Sequence, residues 1–284
     1  LEEYGWAIFV GTPFCMGFLA ALIHAQPTTR TMGESVSVGL ISIGVAGAAI
    51  LAFAFEGVIC LVMAAPLAAL LAVMGAVIGH AVQSSRRHAS RTRLYAVPVL
   101  ALPVMMGTDV LRNEPPPLLC VKTSIAVAAS PHLVWRHVVS FTELPPPTEA
   151  LFSMGIAYPI RAEIRGEGVG AVRHCVFSTG PFVEPIEVWD EPRLLKFSVT
   201  ENPPPMQEWT PYREIHPPHL AGFLVSKQGQ FLLTPLPTGG TQLEGTTWYH
   251  HGLWPAPYWQ LWSDYIIHTI HKRVLNHVKN LAEA

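Results

Sequence analysis

LLAVMGAVIGHAVQSSRRHASRTRLYAVPVLALPVMMGTDVLRNEPPP, residues 70–117, decides how the chain is read. An apolar run breaks into Arg86, Arg87, Arg91 and Arg93, resumes for about one helix, and stops at three prolines. A short loop dense in arginine between two apolar stretches is the mark of the cytoplasmic side of a membrane protein. A buried core helix would instead show polar stripes every few residues. Upstream, Glu56 and His80 are the only acidic or basic side chains between Ser35 and Ser85. Half of the 284 residues are hydrophobic and 13% are charged, against about 25% charged in a soluble domain. The deficit is unevenly spread and deepest between Ser35 and Ser85.

Residues 4–23 are long enough to span a bilayer, which takes roughly 20 apolar residues. Pro13 inside them is tolerated better in lipid than in water. Residues 36–82 would make one helix of ~70 Å at 1.5 Å per residue, so this run folds back, and Phe55-Glu56-Gly57 is the expected turn. The expected spans are 4–23, 37–55, 60–83 and 94–111, with small residues (Gly39, Gly44, Gly47, Ala48; Ala68, Ala72, Gly75, Gly79) allowing close helix approach. The fourth stretch holds Pro98 and Pro103. If it crosses, the remainder of the chain lies outside the cytoplasm, which is the expectation; if it lies in the interface, the remainder is cytoplasmic. Glu56 either reaches headgroups at the hairpin or acts as an intramembrane carboxylate. The chain opens at Leu1 without an initiator Met, which leaves an upstream helix or signal open.

Residues 113–118 form a proline-rich linker, and the periodicity then changes. Residues 119–128 alternate as a strand. Ser130-Pro131 opens a helix as N-cap and first-turn proline. A proline-rich bend and a short helix follow, then six antiparallel strands over 158–250, then a helix from Pro255 or Pro257 to about Leu281. One long helix on a curved antiparallel sheet is an α+β domain, and the space between them is the default ligand pocket.

Residues 119–284 resemble the START-like (SRPBCC) superfamily of polyketide cyclases, START lipid-transfer domains and pollen-allergen-like proteins. The resemblance rests on Ala129-Ser130-Pro131 with Val134-Trp135, on EVWDEPRLLKF (187–197), on Gly239-Gly240-Thr241-Gln242-Leu243, and on the terminal helix. The whole chain looks like a membrane-anchored subgroup with several N-terminal helices. The resemblance implies a helix-grip fold with a cavity for hydrophobic molecules. The superfamily shares no catalytic motif, so no catalytic residue carries over.

On the terminal helix, Trp259, Ile266, Ile270, Val274, Val278 and Leu281 form one apolar arc, and Asp264, His268 and His271 share its edge. That stripe suits proton transfer, ligand contact or zinc, or a structural rim in which Asp264 orients His268. Glu244, Thr246 and Trp248 share one strand face; Arg161 and Glu163 share another. Either set gives the pocket a polar floor if it points inward, and cross-strand pairs if it points outward, as for Arg173, Glu184 and Glu187. The excursion 201–221 carries Trp209 and Tyr212 and reads as a lid or binding element. Trp248, Tyr258 and Trp262 suit a ligand mouth or a membrane-interface belt. His216 and His219 sit in a proline-fixed loop, and His250 and His251 alternate on a strand. Neither pair reads as a chelate, and no resident metal or cofactor is expected.

Cys15, Cys60, Cys120 and Cys175 form no CxxC pair and read as free thiols, with a Cys120–Cys175 disulfide as the alternative. No dinucleotide, P-loop, nucleophile-elbow or zincin motif is present, and a net charge of −2 gives no field for nucleic acid. Three functions stay open: a membrane-anchored module that binds or transfers a lipid or other hydrophobic small molecule; a cyclase- or dehydratase-type enzyme using Asp264, His268, Glu244 or Arg161; and a regulatory module that docks a protein partner.

Overall fold

The computed structural model describes all residues except 1–4, 27, 29, 85–90, 111–115, 213–214, 216–219, 221 and 238. Arg86, Arg87, His216, His219 and the start of the expected linker lie outside the described residues. The chain divides into two compact units. The first comprises residues 1–115 with two later segments, 208–218 and 253–259; the second comprises 116–207, 219–252 and 260–284.

The first unit is helical. A π-helical turn, Ala7–Gly11, leads into α1 (Thr12–His24); α2 (Met32–Ala52), α3 (Val58–Ser84) and α4 (Arg91–Val110) follow. The expected hairpin turn falls at residues 53–57. α2 starts five residues before the expected span because Thr31 and Glu34 form a capping box, which satisfies N–H groups at the helix start. Among the described residues, three helices are long and apolar enough to cross a membrane: Ala7–His24, Met32–Ala52 and Val58–Ser84. α4 is not among them; Arg91 and Arg93 stand in its first turn and Asp109 near its end.

Side-chain contacts fix the helix directions. A Cβ on Gly17 would lie 2.0 Å from the Ala72 carbonyl oxygen, and one on Gly75 would lie 2.1 Å from that of Phe14. α1 and α3 therefore touch backbone to backbone and run parallel, since Phe14 meets Gly75 and Ala21 meets Gly79. Ser35 meets His80 and Gln83 while Gly39 meets Ala76, so α2 is antiparallel to α3. Asp109 accepts a hydrogen bond from the Ala7 amide at 2.9 Å, and Gly11 abuts Leu102 and Met105; α4 is antiparallel to the first helix. Gly44 and Gly47, expected in the helix contact, have nothing within 4 Å of a Cβ position. They line an apolar cleft of about 760 Å³ between α1, α2 and α3, with Glu56 and Cys60 also on its wall.

The second unit is a seven-stranded antiparallel sheet. Its strands are β1 (Leu119–Val127), β2 (Pro159–Arg165), β3 (Val172–Phe177), β4 (Gly180–Asp190), β5 (Leu194–Ser198), β6 (Leu224–Pro235) and β7 (Thr241–His251), in the order β1-β7-β6-β5-β4-β3-β2. Two short helices, α5 (Pro131–Val139) and α6 (Ala150–Ser153), follow β1, and α7 (Ala256–Ala282) closes the chain. β4 pairs with β3 through its first half and with β5 through its second, with a register shift between Ile186 and Val188. Such shifts curve a sheet. Leu195, Leu233 and Leu243 on the inner face pack with Val274, Leu275 and Val278 of α7 in one buried core. This is the helix-grip fold. All four cysteines are free; Cys120 is exposed on one edge strand while Cys175 is buried on β3, so the alternative disulfide is not formed.

Candidate functional site

The inner face of the sheet is set by the two-residue alternation of its strands. On β3, Arg173, Cys175 and Phe177 are buried while their neighbours are not fully so. Arg173 stands directly opposite Glu184 of β4, which places a guanidinium and a carboxylate together inside the core. Arg173 Nη1 donates to Glu184 Oε2, and Nε donates to the Val139 carbonyl at 3.2 Å. The guanidinium carbon lies 5.5–5.6 Å from the ring centroids of Phe141, Phe197 and Phe231, so aromatic faces replace part of its lost hydration. Among the described residues, Nη2 has no hydrogen-bond partner. Burial works against the Arg173 charge and the Glu184 carboxylate overcomes it, raising the guanidinium. Burial lifts the Glu184 carboxyl, and Arg173 pulls it back. Because arginine keeps its proton at any working pH, the site is built on a charged pair. Burial pushes the neighbouring Cys175 thiol up to about 12, which leaves it inert as a nucleophile.

Arg173 and Glu184 line a hollow of about 110 Å³ between sheet and terminal helix, with Phe197, Phe231, Val274 and His271 among its walls. That compares with ~150 Å³ for a cavity that takes benzene, and with a lower bound of ~300 Å³ for ordinary ligand pockets. The hollow itself has room for a guest, or the end of a guest, of a few heavy atoms. Burial, helped by His268, holds the His271 imidazole down at about 4, so at neutral pH it offers a lone pair.

The stripe on α7 divides. Asp264 accepts from the Tyr249 hydroxyl at 2.6 Å and from Gln260 at 3.3 Å; it does not orient His268. Burial and then Asp264 raise the Tyr249 phenol. His268 and His271 instead share Thr123 of β1, whose Oγ1 lies 2.7 Å from His268 Nδ1 and 3.0 Å from His271 Nδ1.

Of the other expected groups on the sheet and α7, Thr246 lines this hollow, and Arg161, Glu163, Glu244, Trp248 and Trp262 do not. Arg161 and Glu163 form an exposed pair at 2.5 Å, because the inward position between them on β2 is Ala162. Glu244 lies 3.9 Å from Lys122, and Trp248 lies under Lys196 at 5.7 Å. Both stand on the face of β7 opposite Thr247 and Tyr249, which meet α7. Trp262 is half-buried on α7.

Trp209, Tyr212 and Tyr258 belong to the first unit. The Trp209 carbonyl accepts from Val58 N at 2.8 Å, Tyr212 donates to the Ala52 carbonyl, and Tyr258 donates to that of Met63. Glu208 accepts from Ile59 N at 3.0 Å and Cys60 N at 3.2 Å. The start of α3 has no capping side chain of its own, so residues 208–209 satisfy its first N–H groups. Gly57 is required there, since a Cβ would sit 2.1 Å from Glu208. Residues 202–212 of the excursion expected to be a lid are held at several points. Asn202 ties to Ser226, Met206 is buried, and 208–212 cap and brace the helices.

Sequence reasoning missed Arg173 and Glu184 as inward groups, and Thr123 and Thr247 altogether. The signal for the first two was the shared face of Arg173, Cys175 and Phe177; a threonine on a strand carries no such signal.

No family model matches the sequence, and no curated protein matches it. Solved structures similar to it include norcoclaurine synthase from Thalictrum flavum (15% identity, 60% of this chain and 97% of that chain, TM-score 0.39). A protein from Chromobacterium violaceum is 12% identical over 58% of this chain and 97% of that one, with a TM-score of 0.36. The di-domain aromatase/cyclase BexL from the BE-7585A biosynthetic pathway is 13% identical over 68% of this chain and 59% of that one, with a TM-score of 0.39. At this level of identity no residue role transfers to this chain.

Proposed function

We propose that the chain is a membrane-anchored helix-grip protein whose cup binds a small, mostly apolar molecule bearing one hydrogen-bond acceptor. The observation that carries this is the partly open hollow with Arg173 on its wall, its Nη2 unpartnered among the described residues. The guest gains from apolar burial at ~25 cal/mol per Å², and an acceptor facing the guanidinium satisfies a buried donor. Acetone, four heavy atoms with one carbonyl, is the matching probe. Saturable binding to the detergent-purified full chain, lost in Val274→Phe, supports the cup; no binding to the unaltered chain overturns it.

The three apolar helices and the helix directions support an orientation as well. Arg30, the end of α3 and the start of α4 stand at one end of the helical unit, and the sequence between those two helices carries Arg86 and Arg87; Glu56, Asp109 and Glu208 stand at the other. Arginine marks the cytoplasmic end; with α4 as a fourth, less apolar crossing, residues from 116 onward lie on the opposite side. A C-terminal reporter active only outside the cytoplasm tests this: activity supports it, silence with normal expression overturns it.

A further inference from the structure

His268 and His271 are three residues apart and so share one face of α7. Thr123 on β1 and Thr247 on β7 face that helix from neighbouring strands. Thr123 Oγ1 touches Nδ1 of both imidazoles, at 2.7 and 3.0 Å, and Thr247 Oγ1 lies 2.8 Å from His271 Nε2. Thr247 and His271 line the hollow, whereas His268 is partly exposed on the flank of α7. The four groups form an unbroken chain from the hollow to the surface.

A hydroxyl carries one proton and two lone pairs, so Thr123 can donate to only one of its two nitrogen neighbours and must accept from the other. With both rings neutral, the chain is satisfied in two directions. In one, Thr247 donates to His271 Nε2, His271 Nδ1–H donates to Thr123, and Thr123 donates to His268 Nδ1. In the other, every proton is reversed. The two arrangements differ by the shift of one proton at each link.

We propose that Thr247, His271, Thr123 and His268 form a proton relay that connects the hollow with solvent. A proton leaving a guest passes to Thr247 Oγ1 while the Thr247 proton moves to His271 Nε2. The His271 Nδ1 proton moves to Thr123 Oγ1, and the Thr123 proton moves to His268 Nδ1. His268 then releases its Nε2 proton to water, so one proton enters the chain, one leaves it, and both rings end neutral. Running the chain in the other direction delivers a proton to the guest and resets it. The low basicity of His271 keeps it unprotonated between transfers at neutral pH. A guest that uses this relay carries an acidic C–H or O–H beside its acceptor, as an enolisable carbonyl compound does. Asp264 takes no part, being held by Tyr249 and Gln260.

The relay rests on the hollow being the working site, but its test needs no guest. In the full chain with ring-15N histidine, exchange of the His271 N–H with water is measured by NMR. Thr123→Val keeps the shape and removes the link. It is expected to slow that exchange by on the order of 10²-fold, the low end of what a positioned proton-transfer group contributes, and Thr123→Ser is expected to restore it. Exchange at the unaltered rate in Thr123→Val overturns the relay. If that variant does not fold, His268→Gln at the partly exposed end is read in its place: the same slowing supports the relay and an unchanged rate overturns it. Acetone binding to the same samples reports separately on the cup.

Discussion

Glu184→Gln removes one charge of the buried pair and leaves the Arg173 guanidinium in place, 1% exposed. Breaking a buried pair by deleting one partner costs about 3–5 kcal/mol, because the remaining charge has lost water and gained no substitute. The three phenylalanine rings around Arg173 offset part of this but accept no strong hydrogen bond. At about 2–4 °C per kcal/mol for a domain of this size, Glu184→Gln is expected to lower the midpoint of the second unit by about 6–20 °C. Thermal unfolding of the detergent-purified chain, followed by near-UV signals from Trp135 and Trp189 in its core, reads this directly. The double variant Arg173→Met/Glu184→Leu removes both charges and is expected to recover most of the loss. The Val139 carbonyl, left without its donor, sets the remaining deficit at about 1–3 kcal/mol. A shift below about 2 °C in Glu184→Gln, or a double variant as unstable as the single one, would refute a buried charged pair.

His271 has a folded value of about 4 against an ordinary 6.5. The unfolded chain therefore binds more protons between those values, and stability is lost as pH falls from about 6.5 to about 4, by at most about 3 kcal/mol. The groups facing it are His268 on α7, Thr123 on β1, Thr247 on β7, and Arg173 and Glu184 on the walls of the same hollow. His271→Gln should flatten that part of the pH–stability curve, and an unchanged slope would contradict the assignment. Glu208→Ala should cost about 0.5–2 kcal/mol as a lost cap, with faster amide exchange at Ile59 and Cys60 and unchanged exchange in the second unit. Gly75→Leu, whose Cβ meets the Phe14 backbone, should cost about 3 kcal/mol or more, read as lost thermal stability of the helical unit.

The sequence made the architecture legible where one pattern had one meaning. Uniform apolarity over residues 36–82 admitted only a hairpin, and the single charge beside a glycine located its turn. The arc from Trp259 to Leu281 placed α7 on the sheet. The site was less legible because alternation names two faces without saying which is inside. Val172-Arg173-His174-Cys175-Val176-Phe177 offers apolar residues on both faces, and only the register with Glu184 makes the arginine side the buried one. Asp264 and His268 are one turn apart, but Tyr249 reaches the first and Thr123 the second, and those partners lie on strands far off in sequence. Glu208 was hidden for the same reason, although the missing cap at the start of α3 was a readable hint that its N–H groups find acceptors elsewhere.

Native mass spectrometry of the detergent-purified full chain, alongside Val274→Phe, tests most directly whether the hollow of the second unit holds a guest. The account predicts a small adduct on the unaltered chain, released at low collision energy and absent from Val274→Phe. A bare chain mass for both, with Val274→Phe as stable as the original or more so, would show that the hollow is only a packing defect.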